Sequence, residues 1–219
     1  MSTALVYGNG SMLVNVNNRL NIADLYWPYV GQENHLNEVP NQMFLRIDGT
    51  LDMLTDWEIS PAYTEDSLVG KSSARSVFRK LMFSLREAVL PDKQVFLREY
   101  SFTNSADYTR EVYLYVKNNF RLMEGDIGDT ALWYPKAGAL VHYKKNRYLA
   151  VGSSGVLHQF TCASPLDNSG RGAFPDTEGQ LAYNPVATGE VESCLSVKLT
   201  IAPGERVTAD FFHCSRLLL

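Results

Sequence analysis

Residues 111–118 read Glu-Val-Tyr-Leu-Tyr-Val-Lys-Asn, and this stretch decides the fold class. Val112, Leu114 and Val116 occupy alternate positions. Successive side chains of an extended strand point to opposite faces, so this period of two predicts a β-strand with an aliphatic row on one face. The other face carries Tyr113, Tyr115 and Lys117.

Short apolar runs separated by turn residues extend this pattern in both directions. Gly8-Asn9-Gly10 and Asp48-Gly49 have the composition of hairpin turns, and no segment keeps a 3.6-residue period over three turns. Helix should therefore be minor. The predicted strands are residues 4–7, 12–16, 43–47, 51–54, 57–59, 76–90, 95–103, 111–118, 131–134, 139–143, 148–151, 156–162, 191–201 and 206–217.

Many short strands joined by hairpin turns predict an all-β fold, a large antiparallel two-sheet β-sandwich with minor helix. A chain of 219 residues fits a single domain spanning 1–219. Residues 163–190 are rich in Gly, Pro, Asp and Ser, and they predict a long surface excursion or a partly disordered loop.

Composition excludes several classes of function. The net charge of −4, without clustered Lys and Arg, argues against a nucleic-acid partner. There is no signal-peptide pattern and no apolar stretch of 18 residues, which favours a cytoplasmic protein without a membrane partner. Cys162, Cys194 and Cys214 are widely spaced and form no CxxC pair, so we expect reduced core thiols and no metal.

No cofactor motif is present. Gly8-Asn9-Gly10 lacks the third glycine and the acidic ribose ligand of a dinucleotide loop, and no P-loop, HExxH helix or GxSxG elbow occurs. We therefore expect no cofactor.

The stretch from Asp24 to His35, DLYWPYVGQENH, combines three aromatic residues with a proline. Proline does not fit a central strand or a helix interior, so we interpret the stretch as an aromatic loop. Exposed rings are unfavourable in water, so another part of the domain, a second domain or a sugar should cover them. The simpler alternative is a buried structural loop. The candidate contact residues are Tyr26, Trp27, Tyr29, Gln32, Glu33, Asn34, His35, Trp133 and Tyr134.

Four blocks carry a resemblance to a known family: VYGNGSMLVNVNN (6–18), ADLYWPYVGQENH (23–35), GDTALWYPKAGALVHYKKNRYLAVG (128–152) and SVKLTIAPGE (196–205). In this order they resemble the N-terminal domain of prokaryotic glucoamylases and glucodextranases of glycoside hydrolase family 15. The resemblance spans residues 6 to about 216, and 163–190 do not align.

This resemblance implies a supersandwich of the galactose mutarotase-like type. It also implies that the chain is the N-terminal, non-catalytic part of a longer hydrolase. In the family, a C-terminal (α/α)6 barrel holds the catalytic glutamates and hydrolyses α-glucosidic bonds with inversion. Inversion needs two carboxyl groups about 6.5–9.5 Å apart. No pair among Asp24, Glu33 and Glu38 can be assigned to these roles, so no catalytic residue is expected.

Three functions follow. The first is a non-catalytic module that packs on its own C-terminal (α/α)6 catalytic domain through the aromatic loop. The second is a carbohydrate-binding module for α-glucan oligosaccharides, with Trp27, Tyr29, Trp133 and Tyr134 as the aromatic platform. The third is an aldose-1-epimerase-like enzyme using a His acid and a Glu base. The available histidines are His35, His142, His158 and His213. A structural hydrogen bond is the simpler role for His142, and Trp57 and most tyrosines are expected in the core.

The first hypothesis makes one mutational prediction. Trp27→Ala should lower the affinity between the two domains more than it lowers the melting temperature of the sandwich.

Overall fold

The computed structural model describes residues 3–36, 39–125, 127–165 and 170–217. These residues form seventeen β-strands, and their only helical element is a short 3-10 turn, Leu122–Glu124. Every paired strand is antiparallel to its neighbours. The predicted all-β fold with minor helix is therefore confirmed.

Two large sheets form the sandwich, in strand orders β14-β16-β10-β4-β5 and β15-β11-β12-β13-β17-β9-β8-β7-β6. The five-stranded sheet contains β14 (Leu157–Ala163), β16 (Glu192–Ile201), β10 (Arg110–Asn118), β4 (Gln42–Ile47) and β5 (Thr50–Asp52). The nine-stranded sheet contains β15 (Val186–Gly189), β11 (Asp129–Tyr134), β12 (Ala139–Lys144), β13 (Arg147–Ser153), β17 (Arg206–Leu217), β9 (Val95–Asn104), β8 (Leu81–Val89), β7 (Gly70–Ser76) and β6 (Glu58–Ser60).

A small third sheet has the order β1-β2-β3, with β1 (Thr3–Gly8), β2 (Leu13–Asn17) and β3 (Ile22–Tyr26). The predicted opening hairpin is confirmed, because β1 pairs with β2 around Gly8-Asn9-Gly10. The predicted hairpins β4–β5 and β8–β9 also form.

The main core lies between the sheets and includes the aliphatic row Val112, Leu114 and Val116 of β10. These side chains are buried, as their alternation predicts. Trp57 is also buried, as expected. Only four of the twelve tyrosines are buried, so the expectation that most tyrosines lie in the core is wrong. The buried tyrosines are Tyr7, Tyr100, Tyr113 and Tyr115.

The segment after β14 is more than a surface excursion. Ala173 and Leu181 are buried in a second apolar cluster with Tyr115 on the outer face of the five-stranded sheet. The Tyr115 hydroxyl donates a hydrogen bond to the Gly179 carbonyl at 2.7 Å. Residues 170–185 contain no strand or helix, as expected of a long surface loop, but the loop also packs on the sheet; residues 166–169 lie outside the described residues. A few apolar side chains of this segment are enough to form the cluster because Tyr113 and Tyr115 of the sheet supply further apolar surface.

Three strands escape sequence analysis. β7 buries Ser72, Ala74 and Ser76 on its inner side, so its alternation is one of small residues with no apolar signal. β3 extends to Tyr26 and takes in part of the predicted aromatic loop. β15 is a four-residue edge strand within the segment that sequence analysis treats as a loop.

Candidate functional site

The aromatic stretch forms a closed loop between β3 and β4, which we call the 27–36 loop. Its base is fastened by three backbone contacts: a bridge between Tyr26 and Asn34, a hydrogen bond from the Trp27 amide to the Glu33 carbonyl at 3.4 Å, and one from the His35 amide to the Leu25 carbonyl at 2.8 Å. A loop whose ends meet in this way behaves as a compact unit on the surface.

Two of the candidate contact residues, at the base of this loop, have buried side chains. Trp27 is only 2% exposed, and His35 is fully buried. His35 Nε2–H donates to the Trp27 carbonyl, and Nδ1 accepts from the Met123 amide at 3.2 Å. The bond accepted by Nδ1 requires the neutral ring, and burial lowers the pKa of His35, which favours that form. Neither side chain can contact a sugar or a second domain in this conformation, which corrects the expectation of an exposed Trp27 platform.

The loop tip is exposed. Tyr29 shows 55% of its surface to solvent, and Val30 and Gln32 are also exposed. The Gln32 amide donates to the Tyr29 carbonyl at 3.1 Å, which closes a turn in which Gly31 has φ +80°. That backbone conformation favours glycine, so the sequence Tyr-Val-Gly-Gln is suited to hold the tip in shape.

An ion pair anchors the tip to the nine-stranded sheet. The Arg147 guanidinium at the start of β13 donates two hydrogen bonds of 2.8 Å to the Glu33 carboxylate. These bonds lower the pKa of Glu33 and raise that of Arg147. The guanidinium carbon also lies 5.9 Å from the centre of the Trp27 ring. Arg147 therefore joins the buried half of the loop to its exposed half.

Asn34 connects the loop to two further elements. Its side-chain amide donates to Asp24 of β3 at 2.7 Å, and its backbone amide donates to the Glu124 carboxylate at 3.0 Å. Burial, with the nearby Asp24 charge, raises the pKa of the half-buried Tyr26. The two acidic side chains are thus occupied by structural hydrogen bonds.

Trp133 and Tyr134 lie elsewhere. Tyr134 pairs with Ala139 at one end of β12, and Arg147 pairs with Lys144 at the other end. These ends are five residue steps apart along an extended strand, or about 17 Å. Trp133 stacks on Phe160 with ring centres 4.2 Å apart and is half-buried, whereas Tyr134 is exposed. The four aromatics considered for one sugar platform therefore do not share one.

The other three histidines lie in different surroundings. His142 is buried and within 2.7 Å of the Ser193 hydroxyl, which confirms a structural hydrogen bond. His213 is buried, and both its ring nitrogens lack a hydrogen-bond partner among the described residues. Burial lowers the pKa of each to about 3. His158 packs against the Tyr113 ring, and the Tyr113 hydroxyl donates to Glu111, which is paired with Lys198.

Within the described ranges, no three His, Cys, Asp or Glu side chains are grouped as a metal site would require. No helix in the described part of the chain is long and apolar enough to cross a membrane. The three cysteines are free thiols, with Cys162 and Cys194 buried.

Arg147 and Glu124 are the contact partners that sequence analysis misses. Arg147 belongs to the charged run 144–147, which is typical of an exposed turn, and its partner Glu33 is 114 residues away. No local pattern reports such a pair. The 27–36 loop itself is identified correctly by its aromatic and proline content.

No protein-family model matches the chain. An uncharacterised glycosyl hydrolase of Methanocaldococcus jannaschii is 23% identical over 160 residues, which are 73% of this chain and 25% of that protein. A bacterial glucoamylase solved in complex with acarbose matches 99% of this chain and 32% of its own, with a TM-score of 0.75 and 11% identity. A galactose mutarotase-like protein of Lactobacillus casei matches 97% of this chain and 99% of its own, with a TM-score of 0.62 and 6% identity.

The fold is the galactose mutarotase-like β-sandwich. A putative aldose 1-epimerase of Escherichia coli K12 has it too, with a TM-score of 0.58 and 11% identity over 98% of this chain and 99% of that one. The chain spans about a quarter of the Methanocaldococcus protein and a third of the glucoamylase. It is a sandwich domain related to glycoside hydrolases.

Proposed function

We propose that this chain is the N-terminal, non-catalytic sandwich domain of a glucoamylase-like glycoside hydrolase, and that it packs on an (α/α)6 catalytic domain of the same polypeptide. The observation that carries the proposal is the similarity to the bacterial glucoamylase, which covers nearly all of this chain but only a third of the other. The Methanocaldococcus glycosyl hydrolase also extends far beyond the matched region. The parent enzyme would cleave α-glucosidic bonds of starch-type oligosaccharides with inversion.

The 27–36 loop supports this role physically. Tyr29 and Val30 present apolar surface at the tip, while Glu33 and Asn34 hold the backbone through contacts with three separate elements. A preorganised tip loses little conformational entropy when it is covered, so its apolar area contributes more fully to association. Tyrosine suits such a contact because it combines a large apolar ring with a hydroxyl that can stay hydrated.

The chemistry of the described residues also favours a non-catalytic role. The carboxylates nearest the loop are committed to Arg147 or Asn34, and the buried histidines have depressed pKa values. A general acid must reach the substrate and keep its proton near the working pH. Buried or ion-paired groups of this kind do neither.

The test measures association between two separately expressed polypeptides, residues 1–219 and the catalytic segment that the proposal places after them. Titration calorimetry should give a saturable 1:1 complex, and Tyr29→Ala should weaken it about tenfold. Val156→Ala is the matched control, because it truncates an exposed apolar side chain outside the loop. Equal affinities for the wild type and Tyr29→Ala would remove the loop from the interface, and no association would refute the proposal.

An aldose 1-epimerase activity is the second candidate, because the putative epimerase matches this chain over nearly the full length of both. Polarimetry of fresh α-D-glucose with the purified chain distinguishes the two functions. Interconversion faster than in buffer would favour the epimerase, and a rate equal to that of buffer would exclude it.

A further inference from the structure

A second surface feature, remote in sequence from the 27–36 loop, is an open cleft of about 490 Å³ at the β6 end of the nine-stranded sheet. One wall is the segment from Leu51 to Glu58, and the other is the β7–β8 turn from Arg75 to Arg79. A cleft of this size is within the range that small organic ligands occupy. Nothing in the proposed function uses it.

The most exposed ring of the described residues lies in this cleft. Phe78 shows 88% of its surface to solvent, and neighbouring Val77 shows 65%. Exposure of a phenyl ring to water is unfavourable, and turn tips are usually polar. An exposed phenylalanine at this turn therefore indicates that a binding partner covers it. The Arg79 guanidinium carbon lies 5.5 Å from the centre of this ring.

A set of buried or half-buried contacts fixes the walls. The Asp52 carboxylate accepts hydrogen bonds from Arg79 Nε at 2.9 Å and from Trp57 Nε1 at 3.1 Å, which ties one wall to the other. The Arg79 carbonyl also accepts a hydrogen bond from Arg110 of β10. The cleft thus exists before any ligand arrives, and its walls need little ordering on binding.

Three further charged groups line the cleft and are free to bind. Among the described residues, no hydrogen bond or ion pair engages the side chains of Asp56, Glu58 or Arg75, although Glu58 and Arg75 are paired positions of β6 and β7. Two carboxylates and one guanidinium leave a net charge of −1, so the cleft disfavours anionic ligands. Carboxylates accept and a guanidinium donates hydrogen bonds, which together match the donor and acceptor groups of neighbouring hydroxyls.

We propose that this cleft binds a neutral oligosaccharide, with Phe78 stacked on the apolar face of one pyranose ring and with Asp56, Glu58 and Arg75 bound to its hydroxyls. A pyranose is the neutral ligand class that presents a C–H face and a polyhydroxyl rim together. A purely apolar peptide segment would leave the three charged groups without partners at the rim, which is unfavourable on desolvation. The site does not depend on the 27–36 loop or on the proposed partner domain.

The experiment titrates residues 1–219 with maltohexaose, isomaltotriose and cellohexaose by calorimetry and by ¹H–¹⁵N NMR. At least one sugar should bind, with shifts concentrated at 51–58 and 75–79. Phe78→Ala should weaken that binding about tenfold, and Phe78→Tyr should retain it. Leu68→Ala, which truncates another exposed apolar side chain outside the cleft, should leave the affinity unchanged.

Glu58→Gln separates ligand binding from folding. It keeps the size of an exposed side chain, so the melting temperature should not change while the affinity falls several-fold. Absence of binding to all three sugars, or shifts confined to other surfaces, would overturn the inference. If Phe78→Ala weakened association with the catalytic segment and not with the sugars, the cleft would be a domain contact and the inference would be wrong. Loss of sugar binding with intact domain association would leave the proposed function untouched.

Discussion

Glu33 and Arg147 are 114 residues apart in the sequence, yet their side chains form a two-bond ion pair with both distances at 2.8 Å. Arg147 also lies over the ring of Trp27. A bidentate pair constrains orientation as well as distance, because the planar guanidinium matches the carboxylate. The exposed tip of the 27–36 loop is therefore positioned by the nine-stranded sheet.

Glu33→Gln should loosen this loop. It removes the charge that compensates the mostly buried Arg147 guanidinium, so we expect a loss of about 1–2 kcal/mol in the free energy of unfolding. Faster amide exchange at residues 29–34 should accompany it. Hydrogen-exchange mass spectrometry measures both the site and the size of the change. Arg147→Ala should give the same pattern of exchange, and the effects of the two substitutions should not add.

The same ion pair gives a pH dependence of known sign. Arg147 lowers the pKa of Glu33 in the folded state. The pair therefore contributes its full stability above the unfolded pKa of about 4.3 and loses it as the pH falls through the lower, folded value. Glu33→Gln should remove this contribution, so the stability difference between wild type and variant should shrink between pH 5 and pH 2. If the stability difference between wild type and variant stayed constant over this range, the expected contribution of the ion pair would be contradicted.

Trp27→Ala should now destabilise the sandwich itself. Trp27 is buried in the main core, and removing a buried Trp side chain costs about 3–5 kcal/mol. This reverses the ordering that the sequence predicts, in which domain affinity falls more than stability. Tyr29→Ala should change the free energy of unfolding by only about 0.5 kcal/mol or less, since the side chain is exposed. Urea unfolding of both variants tests the ordering.

Acid should destabilise the fold through His142 and His213. Burial lowers the pKa of each to about 3, against about 6.5 in the unfolded chain. The unfolded state then binds more protons, so stability is present above pH 6.5 and falls as the pH drops toward 3. Each histidine contributes a slope of up to about 1.4 kcal/mol per pH unit.

His213→Phe is the variant that isolates one of these protons. His213 packs against Phe96 and Phe120 and has no hydrogen bond among the described residues, so a phenyl ring should fit the site. Between pH 6 and pH 4, the slope of the free energy of unfolding against pH should decrease by up to about 1.4 kcal/mol per pH unit, the contribution of one histidine. An unchanged slope would mean that His213 is not buried in its neutral form.

Arg98→Met should be severely destabilising. Arg98 is buried with Glu87 at 2.7 Å, and Glu87 also accepts a hydrogen bond from the Tyr7 hydroxyl at 3.0 Å. Removing the guanidinium leaves a buried carboxylate uncompensated, with an expected loss of about 3–5 kcal/mol. Arg86→Met is the matched control, because Arg86 forms an exposed pair with Glu99 at 3.8 Å on the same two strands. Similar losses of stability in the two variants would contradict the buried position of the Arg98–Glu87 ion pair.

The sequence is sufficient for the fold class because its strands alternate visibly, as in Val112, Leu114 and Val116. It is insufficient for β7, where the core-facing residues include Ser72 and Ala74. These side chains are small and not strongly apolar, so the strand lacks the usual alternation of apolar and polar residues. The 27–36 loop is recognisable from its aromatic residues and proline. The sequence does not reveal which of those residues are exposed. Trp27 contacts Arg147 and His35 contacts Met123, and both partners come from distant parts of the chain.

Long-range register explains the other differences. Trp133 and Tyr134 share the aromatic character of the loop, but the pairing of β11 with β12 places them at the opposite end of the strand. The Phe78 cleft depends on β5, β6 and β7 meeting at one edge, through contacts such as Asp52 with Arg79. Such relationships arise from tertiary packing, and no local sequence period reports them.

The most direct test of the central claim is the dissociation constant between residues 1–219 and the catalytic segment of the same polypeptide, measured for the wild type, Tyr29→Ala and Val156→Ala. The account predicts a saturable complex that Tyr29→Ala weakens about tenfold and that Val156→Ala leaves unchanged. Failure of the wild-type chain to associate at any accessible concentration would contradict it.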